Sequence, residues 1–182
     1  WLDKGQIKQT GAAADVISAY TGGSYVQHTE KDESSRNRWG TGDARINSIE
    51  LLNTVDEQVQ VVDSSAPVKL RFQISAHTRL ESPILRAQIT RLNGDVIWAT
   101  STQRGTNMMR VLDGAATATL NIDSIQLLEG TYYVSAAITD STGSTEFDHC
   151  QNWLRFNVHK TNMFDDGIVA INSTWNLERH HK

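Results

Sequence analysis

Val68-Lys69-Leu70-Arg71-Phe72-Gln73-Ile74-Ser75-Ala76-His77 decides the fold. Apolar and polar side chains alternate along it without a break, the period of a strand with one face in a core and the other toward water. The same alternation recurs downstream. Leu85, Ala87 and Ile89 alternate with Arg86, Gln88 and Thr90, Asn93-Gly94 supplies a hairpin turn, and Val96 to Ser101 is the return strand. Ala116 to Ile122, Tyr132 to Ile138 and Leu154 to Val158 repeat the pattern, with Ile46 to Leu52 before them and Ile168 to Ile171 near the end. These are about eight strands with turn signals between them and no long helical period, so the expected class is all-β, an immunoglobulin-like antiparallel sandwich.

Composition bounds what such a sandwich can do. The chain has 182 residues, 17 Lys+Arg against 21 Asp+Glu, and a formal charge of −4, which gives no general drive toward nucleic acid. A single Cys excludes an intrachain disulfide framework and an all-cysteine metal site. No stretch approaches the ~20 apolar residues of a membrane-spanning helix. The mixed start at Trp1 has no signal-peptide pattern and no initiator Met, and reads as a piece of a longer protein. Residues 1–22 form a separate element: a strand and turn over Trp1 to Ile7, then a short helix from Gly11 to Tyr20 with Val16, Ile17 and Tyr20 on one side. Residues 23–38 have linker composition, and the sandwich is expected over 39–182.

Catalytic motifs are missing. There is no phosphate loop, no G-x-S-x-G, no H-E-x-x-H and no C-x-x-C, and Gly40-Thr41-Gly42 lacks the third glycine of a dinucleotide fingerprint. His28, His77, His149, His159, His180 and His181 are scattered and read as surface or tail residues. Cys150 reads as a buried, inert thiol, since its adjacency to Asp148-His149 is not triad geometry. Asp165-Asp166-Gly167 reads as a solvated turn, and the sequon at Asn172 matters only in a secreted protein. No catalytic residue, metal or cofactor is expected.

The outward strand faces carry more information. Arg86, Gln88, Trp98, Tyr133, Ser135, Trp153 and Arg155 are all expected to point to solvent. In immunoglobulin order the third strand, its hairpin partner and the last two strands share a sheet, so these residues would share a surface. Trp and Tyr offer flat apolar faces for a sugar ring, Gln and Ser meet hydroxyls, and Arg offers a fork to a carboxylate or phosphate. The competing reading is packing: a one-residue slip of register would turn Trp98 or Trp153 into the core.

The ordered motifs point to a family. Trp1-Leu2-Asp3-Lys4-Gly5, Gly11, Val16-Ile17 and Tyr20 resemble the closing segment of the ATPase domain of bacterial polysaccharide ABC exporters. Arg38-Trp39-Gly40-Thr41-Gly42-Asp43-Ala44-Arg45-Ile46 resembles the entry motif of the C-terminal domain of Wzt-type O-antigen exporter subunits. Leu128-Glu129-Gly130-Thr131-Tyr132-Tyr133-Val134-Ser135, Phe147-Asp148-His149 with Asn152, and Gly167-Ile168-Val169-Ala170 with Trp175 resemble later parts of that pattern.

The resemblance implies a non-catalytic domain that binds the non-reducing terminus of a completed O-polysaccharide and commits it to export. It implies a cytoplasmic setting at the inner face of the inner membrane, with the ATPase domain of the same chain and the membrane-spanning exporter subunit as partners. It also implies a homodimer in which the last strand, about Gly167 to Trp175, is exchanged through Lys160 to Asp166. The phosphate loop is absent, so the resemblance implies that this chain would be the binding half, with a stub, of a longer ATPase subunit. Two other readings compete: a structural dimerisation domain, and an extracellular immunoglobulin-like glycan or adhesion module. A sandwich hydrolase would need paired acids over one cleft, and the candidate surface is poor in Asp and Glu.

Overall fold

The computed structural model describes residues 2–3, 6–7, 10–11, 37–104, 108–159, 167–171, 173 and 175–176. The expected helix Gly11 to Tyr20 lies almost wholly outside the described residues, as do most of the linker, Lys160 to Asp166 with Asp165 and Asp166, and Asn172. Near the start, β1 (Leu2–Asp3) and β2 (Gln6–Ile7) pair as a minimal antiparallel hairpin, matching the expected strand and turn. The sandwich is built from β3 (Asn37–Trp39), β4 (Ala44–Leu52), β5 (Val61–Asp63), β6 (Val68–Glu81), β7 (Ile84–Thr90), β8 (Val96–Ser101), β9 (Val111–Ile122), β10 (Gly130–Thr139) and β11 (Glu146–His159).

Two sheets face each other. The large one runs β3-β11-β10-β7-β8, with β5 added in parallel to the far end of β11. The small one is β4-β6-β9, with both pairings antiparallel. The alternation of the sequence sets the faces: Leu70, Phe72 and Ile74 of β6 and Leu85, Ala87 and Ile89 of β7 are buried against one another in one core. Tyr132 adds a feature common to immunoglobulin-like sandwiches. From the start of β10, its buried phenol donates to Leu128 O at 2.8 Å.

The closed side of the sandwich is locked by charge. Arg38 of β3 donates from Nε to Asp148 Oδ1 at 2.8 Å and from Nη2 to Oδ2 at 2.6 Å, in a buried fork. The same pair reaches the other sheet, where Ile46 N donates to Asp148 Oδ2 at 2.6 Å and Arg38 Nη2 donates to Ile46 O at 3.0 Å. This explains the Arg-Trp-Gly-Thr-Gly motif. Thr41 N and Gly42 N donate to the carbonyls of Glu146 and Phe147, pressing the segment flat on β11. A Cβ on Gly40 would sit 2.4 Å from Phe147 O, so only glycine fits.

Three details differ from the sequence expectation. Strand β3 begins at Asn37, inside the stretch read as linker, because Arg38 and Trp39 already pair with β11. Ile168 to Ile171 is not a strand but an extended segment held by one bridge, Leu127 to Val169. Ala116 and Ala118 of β9, on its inward face by register, are exposed and half-buried, because among the described residues no strand of the large sheet closes over them. No helix occurs among the described residues, and none is long and apolar enough to cross a membrane.

Candidate functional site

The outer face of the large sheet is organised in rungs, because directly paired residues point to the same side. One rung crosses five strands: Ser101 pairs with Arg86, Arg86 with Ala137, Ala137 with His149, and His149 with Trp39. Ala137 is a small floor between two large side chains, and it is 5 % exposed. At the end of the rung Trp39 stacks on His149, ring centroids 3.9 Å apart and planes 24° from parallel. Glu146 holds this pair from one side. It accepts the Trp39 indole N–H at 2.7 Å and meets His149 Nδ1 at 3.2 Å.

The His149 hydrogen bond and then its charge hold the Glu146 carboxyl below its ordinary range, with the Trp39 N–H and Arg86 adding to the effect against the opposing cost of burial. The rung therefore presents a rigid aromatic platform beside an exposed cation.

The next rung runs Ala99, Gln88, Ser135. Opposite Ser135, β11 carries a bulge of Gln151, Asn152 and Trp153. Asn152 takes a positive φ of 51°, which Asn tolerates better than most residues. Its N–H donates to Ser135 Oγ at 2.8 Å and its side-chain oxygen accepts from Thr90 Oγ1 at 2.9 Å. A third rung joins Thr90, Tyr133 and Arg155.

The seven residues expected on this surface divide accordingly. Arg86 and Arg155 are exposed on it, and Gln88 and Tyr133 are half-buried on it. Ser135 is on the same face but only 1 % exposed, beneath Asn152, with its hydroxyl engaged internally, so it supports the face from below. Trp98 is placed elsewhere. It pairs with Ile89, which is 3 % exposed in the core, and a bulge at Ile97 shifts the strand, so the ring packs on the core side. Trp153 packs against the core beside Arg38, whose guanidinium lies 5.3 Å from its ring centroid. Both tryptophans are half-buried and pack against the core, the alternative weighed for them.

Sequence reasoning gave Trp39, Glu146 and His149 no part in a site, although it read His149 as a surface residue. Trp39 stood in a quoted motif and His149 was set among scattered histidines; their pairing across 110 residues has no local signal. Asp148-His149-Cys150 settles cleanly: Asp148 and Cys150 pair with inward Ile138 and Ala136, while His149 pairs with outward Ala137. Burial first, and then the Asp148 charge, push the Cys150 thiol up to about 12, so it stays protonated and inert. Among the described residues no three His, Cys, Asp or Glu side chains converge to hold a metal ion.

With the fold and face in hand, the comparison with known families is decisive. The model of the Wzt C-terminal domain matches residues 35–171. The chain belongs to the Wzt C-terminal domain family. This is a non-catalytic domain family with a role in carbohydrate binding and O-antigen export. Among solved structures, one described as the crystal structure of the C-terminal domain of wzt superposes with a TM-score of 0.71 at 16 % identity, covering 80 % of this chain and 90 % of that one. No curated protein matches the chain.

Proposed function

We propose that this Wzt C-terminal domain binds the non-reducing terminus of a finished O-polysaccharide and commits it to export. The observation that carries the reading is the rung Ser101–Arg86–Ala137–His149–Trp39. A sugar ring stacks its C–H face on an indole, and its hydroxyls meet Gln88 and Tyr133 across the next rungs. Arg86 and Arg155 stand ready for an anionic substituent. The acid beside this rung, Glu146, is already engaged by Trp39 and His149, so among the described residues the rung offers no free acid pair of the glycosidase kind. The partners in this reading are the ATPase domain and the membrane-spanning exporter subunit, in the cytoplasm at the inner membrane.

A second feature supports a homodimer. Beyond its single bridge the end segment carries Ile171 at 76 % and Trp175 at 98 % exposure, large apolar side chains that a partner protomer would cover. Exchange of this segment between protomers fits that surface.

The test is retention of the source strain's O-polysaccharide, intact and with its terminal residue removed, on the immobilised chain. Intact polymer alone is retained, and Arg86→Ala and Trp39→Ala release it while the melt stays cooperative. Equal retention of both polymers would replace end recognition by recognition of internal repeats. Unchanged binding by both variants would move the site off this face.

A further inference from the structure

Three polar side chains on the outer face of the large sheet are sealed from water: Ser135, Thr90 and Asn152 are 1, 2 and 5 % exposed. An outward position on a one-sided strand is normally wet, so something covers them. The cover is the β11 bulge. Between the pairs Val134–Leu154 and Ala136–Cys150, β10 has one residue and β11 has three. From its positive φ, Asn152 turns across β10 to the end of β7, where its Oδ1 accepts from Thr90 Oγ1 at 2.9 Å. Thr90 Oγ1 lies 3.3 Å from Ser135 Oγ, which accepts from Asn152 N at 2.8 Å. With the single Thr90 proton given to Asn152, the Ser135 hydroxyl is the donor to Thr90. The bonds close a ring across β7, β10 and β11.

The β7–β8 hairpin leaves β7 just after Thr90 and is held to the same ring. Asn152 Nδ2 donates to Leu92 O at 3.4 Å. At the tip, a Cβ on Gly94 would lie 3.5 Å from Gln151 Nε2, so the turn rests against the bulge. Hairpin and bulge stand together as one ridge on the outer face. Gln88 and Tyr133 lie at its foot, since Gln88 pairs with Ser135 and Tyr133 with Thr90. Among the described residues no buried side-chain nitrogen or oxygen lacks a partner. A fully partnered polar network holds one geometry, and removing one member leaves the others unsatisfied.

We propose that Thr90 and Asn152 are positioning residues for carbohydrate binding: their buried hydrogen bonds hold the β7–β8 hairpin against the β11 bulge as a fixed wall beside Gln88 and Tyr133. The inference rests on the glycan-binding reading of this face. Both residues are buried, so they act through the wall and not by touching the ligand. A wall fixed before binding removes the need to order two loops when the ligand arrives.

Thr90→Val and Thr90→Ser separate the hydroxyl from the shape. Valine keeps the volume but leaves Asn152 Oδ1 without its donor, whereas serine keeps the donor. Binding of the source strain's O-polysaccharide, compared at equal concentrations of folded protein, weakens about tenfold in Thr90→Val. It returns to near the unsubstituted value in Thr90→Ser. In Thr90→Val, amide exchange also speeds up at Asn152 and Gly94, whose N–H groups donate to Ser135 Oγ and Arg91 O. A merely structural role would lower the melting temperature and leave binding per folded molecule intact, and that result overturns the proposal. Equal losses in the two variants would assign the effect to packing and overturn it as well. Should Thr90→Val fail to fold, Asn152→Gly carries the test, because glycine keeps the positive φ and removes the side chain. The same loss is expected there, and unchanged binding sinks the idea. If Arg86→Ala releases the polymer while the Thr90 and Asn152 variants hold it, the face binds and the positioning role is wrong. If the unsubstituted chain retains no polymer, the glycan reading itself falls and the positioning role with it.

Discussion

The two long sides of this sandwich are built for opposite ends. On the closed side, β11 is flanked by β3 and β5, and the Arg38–Asp148 fork ties the large sheet to Ile46 of the small one. On the open side, β8 and β9 leave a seam with two cavities, of about 340 and 250 Å³. The stabilising polar network lies where the sheets are clamped, and the cavities lie where they are not. A buried ion pair is costly to desolvate and becomes worthwhile only when fully partnered. Here each carboxylate oxygen of Asp148 is engaged, so the pair specifies how β3 docks rather than merely adding to stability.

The largest effect should come from breaking the clamp. Arg38→Ala leaves the Asp148 carboxylate buried without its counter-ion, and urea unfolding should register a loss of about 3–5 kcal/mol. A loss below about 1 kcal/mol, within the range of exposed pairs, would mean that the closed side is not the anchor. Trp98→Ala tests the open side. The ring packs against the core from a half-buried position, so about 2 kcal/mol of stability is lost, less than for a fully buried aromatic. Polysaccharide retention then persists at a protein concentration corrected for folding. Loss of retention with an unchanged melt would restore Trp98 to the binding face.

On that face, Arg86→Ala should weaken polysaccharide binding about tenfold, with thermal unfolding shifted only slightly. The smallest effect concerns Glu146. Its carboxyl holds a proton less tightly folded than unfolded, so its ionised form stabilises the fold above its ordinary value of 4.5. That contribution fades as the pH falls below 4.5 through the lowered folded value. Glu146→Gln should therefore flatten the stability profile over that acidic window and leave its slope near neutrality unchanged, as denaturant midpoints measured across pH would show.

Strand positions were legible because each rests on a local alternation. Val68 to Ala76 and Leu85 to Ile89 face the core as their pattern requires, with burial to match. The outer face of the large sheet, the candidate site, was half legible. Arg86, Gln88, Tyr133 and Arg155 fall on it, since their strands keep parity up to their positions. Trp98 and Trp153 do not, and each stands at a bulge: Ile97 in β8, and Gln151 to Trp153 in β11. The single extra residue in β8 reverses the alternation past it, whereas the two extra residues in β11 keep the parity of His149 and Arg155, and Trp153 sits within the bulge itself. Asn152 with its positive φ enables the larger bulge, but an asparagine within a strand does not announce one.

The sequence by itself determined the all-β class, most of the inward faces and the buried, inert thiol of Cys150, because side-chain period and residue type are local properties. Only the tertiary structure decided which strand edges were sealed and which were open, which residues 110 apart form the Arg38–Asp148 pair, and that His149 stacks on Trp39. Those outcomes depend on where each sheet ends and how two sheets meet, and pairing between distant strands leaves no mark in the order of either one.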